Sequence, residues 1–208
     1  MLLVPSLPAF LERYPEIHVD LGVSDRPIDL VAENVDCVIR GGPLADQSLV
    51  ARHVGDLPWV TCATPAYLKR HGTPTHPSDL ESGHVLAIRA APTTGRMFPL
   101  IFERDGKRIE IEGPHRVTVN ESHAHLAMAR AGLGVAQMPA FMVRHVPPTE
   151  LRPILAAWQP APLPISVLYP ANRHLSAKVR VLVDWIAALF LEGGLAARRP
   201  SRPAVAQG

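Results

Sequence analysis

Short helical and strand patterns alternate along most of this chain, and this alternation constrains its fold more than any other sequence feature. The first helix is marked by apolar residues at helical spacing, Leu7, Phe10, Leu11 and Tyr14. Residues 17–23 then alternate between apolar and polar, a second helix is predicted after Ser24 and Asp25, and residues 35–40 are almost continuously apolar. Because helices joined to strands by short links pack on parallel sheets, this order predicts βαβ units.

The rest of the chain carries similar signals. Strands are predicted at 49–53, 57–63, 85–89, 116–119, 135–138, 151–155 and 165–169. Helices are predicted at 65–70, closed by Gly72, at 121–131, capped by Asn120, and from Ser176 to the glycine pair at 193–194. Asp105-Gly106 between two apolar runs indicates a tight hairpin.

The composition argues against several classes of protein. Charged residues make up 19% of the chain, and its net charge of +2 comes from scattered lysines and arginines. A dedicated nucleic-acid binder clusters such charges, so this chain alone is expected to bind DNA weakly or not at all. No apolar run reaches the roughly 18 residues of a membrane span, and no signal peptide is evident. The predicted location is the cytoplasm.

The sequence also predicts no metal, no cofactor and no catalysis. His123 and His125 are two residues apart on a predicted helix, so they face different directions and cannot hold one ion. No nucleophile elbow, phosphate-binding loop or dinucleotide fingerprint is present. Cys37 and Cys62 lie among apolar residues, which predicts two reduced, buried thiols, with a redox-sensing pair as the alternative.

Three turns are candidate ligand contacts, because ligands of open α/β sheets lie beyond the carboxyl ends of strands, beside helix N-termini. They are Ser24-Asp25-Arg26, Arg40-Gly41-Gly42 and Asn120-Glu121-Ser122. Helix capping would equally explain Ser24, Asp25 and Asn120, and Arg26 could be solvated. Arg40 follows an apolar strand and needs either a ligand anion or an acidic neighbour, of which the candidates are Glu33, Asp36 and Asp46. The two arginines favour a small carboxylate ligand.

Three longer segments carry a more specific pattern. They are LPAFLERYPEIHVDLGVSDRPIDLVAENVDCVIRGGPLADQSLVARHVGDLPWVTCATPAYLKRHGTP, VTVNESHAHLAMARAGLGVAQMPAFMV and LPISVLYPANRHLSAKVRVLVDWI. Together they resemble the effector-binding (substrate-binding) domain of LysR-type transcriptional regulators, over roughly Leu7 to Leu191. In such regulators a winged helix-turn-helix and a linker helix precede this domain, and neither is found in this sequence.

The resemblance implies an α/β fold like that of type 2 periplasmic binding proteins, with two Rossmann-like lobes joined by two crossing strands. Lobe I would comprise residues 1–63 and 163–192, lobe II residues 64–162, and residues 193–208 would be a disordered tail. The first strand of lobe I, expected before the helix at Leu7, is missing from the pattern.

The resemblance further implies an effector-sensing and dimerisation domain. A small metabolite would bind in the cleft between the lobes, at the three turns and at Ala63-Thr64 near the hinge. The chain would form a homodimer or homotetramer, with Leu7–Val23 facing Ser122–Ala131 of another copy. DNA would be bound only through the absent N-terminal domain. A transporter's solute-binding protein shares the architecture and is the alternative function, and an enzyme on this fold is a third class.

Overall fold

The computed structural model describes residues 3–43, 48–171 and 176–192. They form two compact units. The first unit contains His18–Ile28 and Pro58–Ala161, and the second contains the described parts of 2–17, 29–57 and 162–208. The predicted end of the last helix at residues 193–194 and the predicted tail lie outside the described residues. In the part that is described, no helix combines the length and apolarity needed to span a membrane.

The helices and strands follow the predicted order over most of the chain. The helices are α1 Leu7–Arg13, α2 Pro65–His71, α3 Ser122–Arg130 and α4 Ala177–Glu192. Short 3-10 helices occur at Val4–Ser6, Pro77–Leu80 and Ala140–Val143. The strands are β1 Val38–Gly41, β2 Leu49–Leu57, β3 Trp59–Ala63, β4 Leu86–Arg89, β5 Leu100–Arg104, β6 Lys107–Ile111, β7 His115–Val119, β8 Ala136–Pro139, β9 Arg152–Ile154 and β10 Leu163–Pro170.

The second unit is built on an antiparallel sheet in the order β1-β10-β2, so the parallel sheet predicted for this region is wrong. The connection from β1 to β2 is too short for the helical crossover that a neighbouring parallel strand requires. Instead β10, from far along the chain, lies between them and pairs with both. α4 packs on β2 and buries Val183, Ile186 and Phe190, which share one face of the helix.

The strand predicted at residues 17–23 is also wrong. This segment forms no β-ladder, and Leu21 and Val23 are 43% and 69% exposed. Apolar alternation specifies a face, but a strand is stable only when a neighbouring strand satisfies its backbone N–H and C=O groups. Among the described residues no strand pairs with this segment.

The helix predicted after Ser24 and Asp25 is replaced by a single turn further along the chain. The carboxylate of Asp29 accepts hydrogen bonds from the backbone N–H groups of Val31 and Ala32, both at 3.0 Å. Asn34 follows in the left-handed region, with φ of 52°, which ends the turn. Asp29 therefore caps this turn, in place of Ser24 or Asp25, because the turn begins after Pro27.

The first unit contains a mixed sheet assembled from two sets of strands. β8, β3 and β9 pair antiparallel, while β4 and β7 pair in parallel. The backbone of Val135 joins the two sets, since it accepts from the N–H of Ala87 at 2.8 Å and donates to the carbonyl of Val85 at 2.9 Å. The sheet order is therefore β7-β4-β8-β3-β9, and Val135 at its centre is fully buried.

The predicted hairpin is confirmed. β5 and β6 are joined by Asp105 and Gly106, whose φ values of 52° and 78° are those of a type I′ turn. The side chain of Gln137 in β8 anchors the hairpin, because its amide accepts from the N–H of Ile101 at 2.9 Å and donates to the carbonyl of the same residue at 2.8 Å. Phe102 and Ile111 on the inner face of the hairpin are fully buried.

Gly134 permits the backbone contact at Val135, which generates a prediction for stability. A Cβ atom at residue 134 would lie 2.4 Å from the carbonyl oxygen of Val85, a backbone atom that cannot move without breaking the junction. Gly134→Ala is therefore expected to lower the free energy of unfolding by roughly 3 kcal/mol. Urea denaturation measures this value. Gly22→Ala, where a Cβ would meet nothing within 4 Å, is the control and should change stability little. Equal losses in the two variants would contradict the assignment.

Candidate functional site

Two of the three predicted turns meet in the first unit. The carboxylate of Asp25 accepts hydrogen bonds from the backbone N–H of Ser122 at 2.5 Å and from its hydroxyl at 2.8 Å. The Ser24 hydroxyl accepts from the N–H of Arg26 at 3.1 Å, which shapes the turn before this contact. Asp25 therefore binds the start of α3, which lies 97 residues along the chain, rather than capping a helix of its own.

The cap of α3 is Glu121, so the prediction that Asn120 caps this helix is wrong. The Glu121 carboxylate accepts from the N–H groups of His123 at 2.9 Å and Ala124 at 2.7 Å. The longer glutamate side chain can fold back onto these N–H groups because residue 121 is extended. The N–H of His123, followed by that of Ala124, lowers the pKa of Glu121, while partial burial opposes the shift. Asn120 itself is exposed.

The hinge residues predicted at Ala63 and Thr64 are buried in the first unit. Ala63 is part of its hydrophobic core, and the Thr64 hydroxyl accepts from the N–H of Tyr67 at 3.1 Å as the cap of α2. Thr64 also lines an open surface depression of about 450 Å³ beside the C-terminal end of α3. In this depression Arg130 is already paired with Glu150 at 2.6 Å. Because it is open to solvent and its arginine is already paired, it is a poor ligand site, and the candidate turns do not line it.

The third turn, Arg40-Gly41-Gly42, belongs to the second unit. Arg40 is half-buried on β1 opposite Ser166 of β10, and Gly41 is opposite Ile165. The N–H of Gly42 donates to the carbonyl of Pro164 at 2.9 Å. The two glycines therefore have structural roles at the end of this sheet.

Sequence reasoning missed Arg89, the last residue of β4. Its guanidinium lies 4.8 Å from the ring centre of Phe98, and the residue is half-buried. It pairs with Val119 at the end of β7, immediately before Asn120. The sequence did contain an indication of this residue, because Arg89 ends the predicted apolar strand 85–89 just as Arg40 ends the predicted strand 35–40.

The histidines and cysteines of the described residues form no metal-binding cluster. No three of their His, Cys, Asp and Glu side chains are placed to share a metal ion. His125 is buried, with Nε2 2.9 Å from the carbonyl oxygen of Ala87, and burial lowers its pKa. Cys37 and Cys62 are both free; Cys62 is buried, but Cys37 is only half-buried. Burial raises the pKa of Cys62 to about 12, so its thiolate is scarce at neutral pH.

Comparison with known proteins identifies relatives over nearly the whole chain. The family model described as LysR substrate binding domain matches residues 1–190. The uncharacterized HTH-type transcriptional regulator YhjC of Escherichia coli (strain K12) is 38% identical over 195 residues, covering 92% of this chain and 64% of YhjC. An HTH-type transcriptional repressor of Pseudomonas aeruginosa (strain UCBPP-PA14) is 32% identical, with coverage of 92% and 60%. This chain thus spans less than two thirds of these relatives.

Solved structures of similar proteins share the fold. The regulatory domain of CrgA from Neisseria meningitidis has a TM-score of 0.76 and 27% identity, covering 90% of this chain and 91% of that one. The full-length Vibrio cholerae virulence activator AphB has a TM-score of 0.73 and 29% identity, covering 89% of this chain and 62% of that one. The predicted fold class, a mixed α/β fold like that of type 2 periplasmic binding proteins, is confirmed.

The cap at Glu121 predicts an acid-sensitive contribution to stability. Since folding lowers the pKa of Glu121, its contribution is complete above the ordinary glutamate value of 4.5 and is lost as pH falls through the lower folded value. Replacing Glu121 with Gln should therefore reduce stability most above that pH, and the difference from wild type should shrink in acid. Denaturant unfolding across pH 3 to 7, where about 1.4 kcal/mol corresponds to one pKa unit, measures it. Glu112→Gln, at an exposed glutamate, is the matched control. A difference that is constant with pH would contradict the role of the Glu121 charge.

Proposed function

Because this chain belongs to the family of LysR substrate-binding domains, we propose that it senses a small-molecule effector for a transcriptional regulator whose DNA-binding part lies outside it. The observation that carries this proposal is the family match over residues 1–190. Its relatives are named as transcriptional regulators, not as solute-binding proteins of transporters, so the alternative predicted from the shared architecture is set aside. Proteins of this family generally are not enzymes.

We propose that the effector is a small carboxylate-bearing metabolite, and each unit supplies candidate contacts for it. The contacts in the first unit would be Ser24, Asp25, Arg26, Ala63, Thr64, Asn120, Glu121 and Ser122. The contacts in the second unit would be Arg40, Gly41 and Gly42. The hydrogen bonds from Ser122 to Asp25 support this assignment for the first unit, because they bring polar groups of two turns together. The exposed Asn120 beside them retains an amide that can bind a ligand.

Binding would regulate transcription by changing the relative stability of two conformations of the regulator. A ligand shifts such an equilibrium only by its difference in affinity for the two states. We therefore propose that the effector binds one state better and so alters DNA binding by a domain that this chain does not contain. Since such a regulator acts on the chromosome, we place it in the cytoplasm.

We further propose that copies of this chain associate into a dimer or tetramer. The segment Leu7–Val23 would face Ser122–Ala131 of another copy. Exposed apolar side chains in each unit support this proposal, since Leu11 of the second unit and Leu21 and Val23 of the first are all well exposed.

Arg40 provides a test of the proposed function. In the full-length regulator, Arg40→Ala should weaken the response to effector roughly 10- to 100-fold while leaving promoter binding intact, because a charge-assisted hydrogen bond to the effector would be lost. A reporter assay over effector concentration and a gel shift on promoter DNA provide the two measurements. Arg144→Ala, at an exposed arginine, is the control. A full response in the Arg40 variant would remove this residue from the site.

Self-association has its own test. Val23→Asp places a charge on the proposed surface and should shift full-length protein at micromolar concentration toward smaller species in sedimentation velocity, because it would bury an unpaired carboxylate. Val31→Asp adds the same charge at a valine that is 59% exposed and outside the proposed surface, so it should leave the distribution unchanged. Identical behaviour of the two variants would rule out this interface.

A further inference from the structure

Arg89 is the last residue of β4 and lies at the carboxyl end of this strand, where a ligand of the first unit would bind. β4 and β7 are the parallel neighbours of this sheet, and Arg89 of β4 is paired with Val119 of β7. Because the two strands are parallel, their carboxyl ends lie on the same side of the sheet. Asn120 and Ser122 come just after the end of β7. Ligands of α/β sheets bind beyond this carboxyl edge.

The side chain of Arg89 is on the same face of the sheet as α3. Alternate residues of a strand share a face, so Arg89 is on the side of Ala87. Ala87 is buried in a cluster with Met128 and Ala129 of α3. The carbonyl oxygen of Ala87 is also 2.9 Å from Nε2 of His125, in the middle of the same helix. Two residues further along β4, Arg89 therefore lies toward the N-terminal end of α3.

The guanidinium of Arg89 has no carboxylate partner among the described residues. No ion pair joins it to an aspartate or glutamate of that part of the chain, and it packs instead on the face of Phe98, a residue that is 41% exposed. By contrast, Arg52 pairs with Asp184, Arg108 with Glu110 and Arg130 with Glu150. A half-buried guanidinium has lost part of its hydration, and a planar carboxylate can replace it with two parallel hydrogen bonds.

The backbone N–H groups at the start of α3 are not available to bind the carboxylate of a ligand. The N–H of Ser122 donates to Asp25, and the N–H groups of His123 and Ala124 donate to Glu121. Two carboxylates of the chain therefore occupy the donors that would otherwise attract an anion. An anionic ligand at this edge needs a positive side chain, which Arg89 provides.

We propose that Arg89 binds the carboxylate of the effector, with the exposed ring of Phe98 holding the guanidinium flat toward it. This inference rests on the proposed function and names the ligand group and the residue that recognises it. It also assigns Asp25 and Glu121 to the structure of the site rather than to binding the effector's charge.

The test uses ligands that differ only in charge. Acetate, succinate and benzoate, each beside its neutral amide, are titrated into full-length wild-type protein, Arg89→Gln and Arg116→Gln, with thermal shift and calorimetry as readouts. Arg116 is an exposed arginine on β7, the strand that pairs with β4, and is the matched control. We expect a carboxylate, but not its amide, to stabilise the wild type and the Arg116 variant. Arg89→Gln should bind it roughly 10- to 100-fold more weakly.

Each other outcome overturns the inference. It fails if none of the carboxylates binds, if an amide binds as well as its acid, or if Arg89→Gln binds like wild type. A circular dichroism spectrum equal to that of wild type must accompany the loss in Arg89→Gln; if the fold is disturbed, Arg89→Lys, which keeps the charge but not the planar fork, takes its place with the same expectation of weaker binding. Failure of the proposed function would look different, because promoter binding would then be absent while carboxylate binding through Arg89 persisted.

Discussion

The first unit depends on one backbone junction, in which the N–H and C=O of Val135 pair with residues 85–87. This junction joins a parallel pair of strands to an antiparallel set and makes one sheet of them. Gly134 allows the approach, since any Cβ there would meet the carbonyl of Val85. The sheet in turn fixes where β4 and β7 end, and so where Arg89 and the start of α3 lie.

The electrostatics of the site depend on which group accepts a hydrogen bond from each backbone N–H at the start of α3. A free helix N-terminus would favour an anion, but in this chain Asp25 and Glu121 already occupy those donors. The positive side chain at the same sheet edge, Arg89, faces an aromatic ring instead of a carboxylate. Asp25 and Glu121 thus hold the start of α3 in place, while Arg89 packs against Phe98.

Features determined by residues close together in the sequence could be predicted, and features that depend on residues far apart could not. The turn at Asp105-Gly106 and the helix from Pro65 to Gly72 are determined by local backbone preferences, and both were predicted correctly. Residues 17–23 were not, because a strand depends on a partner that no local pattern reveals. The same limit explains the second unit, where β10 separates β1 from β2 and makes the sheet antiparallel. The three turns of the candidate site stay predictions, and the hydrogen bonds between Asp25 and Ser122 and the contact of Arg89 with Phe98 could be seen only in the fold.

The central place of β10 has a consequence for the order in which the protein is made. β1 and β2 leave the ribosome early, yet the strand that satisfies both of them is not synthesised until residue 163. All the strands of the first unit are complete by residue 154. During translation β1 and β2 therefore wait for their shared partner strand, while the strands of the first unit are already available to pair with one another. Until residue 163 has been made, β1 and β2 lack the strand that pairs with both of them.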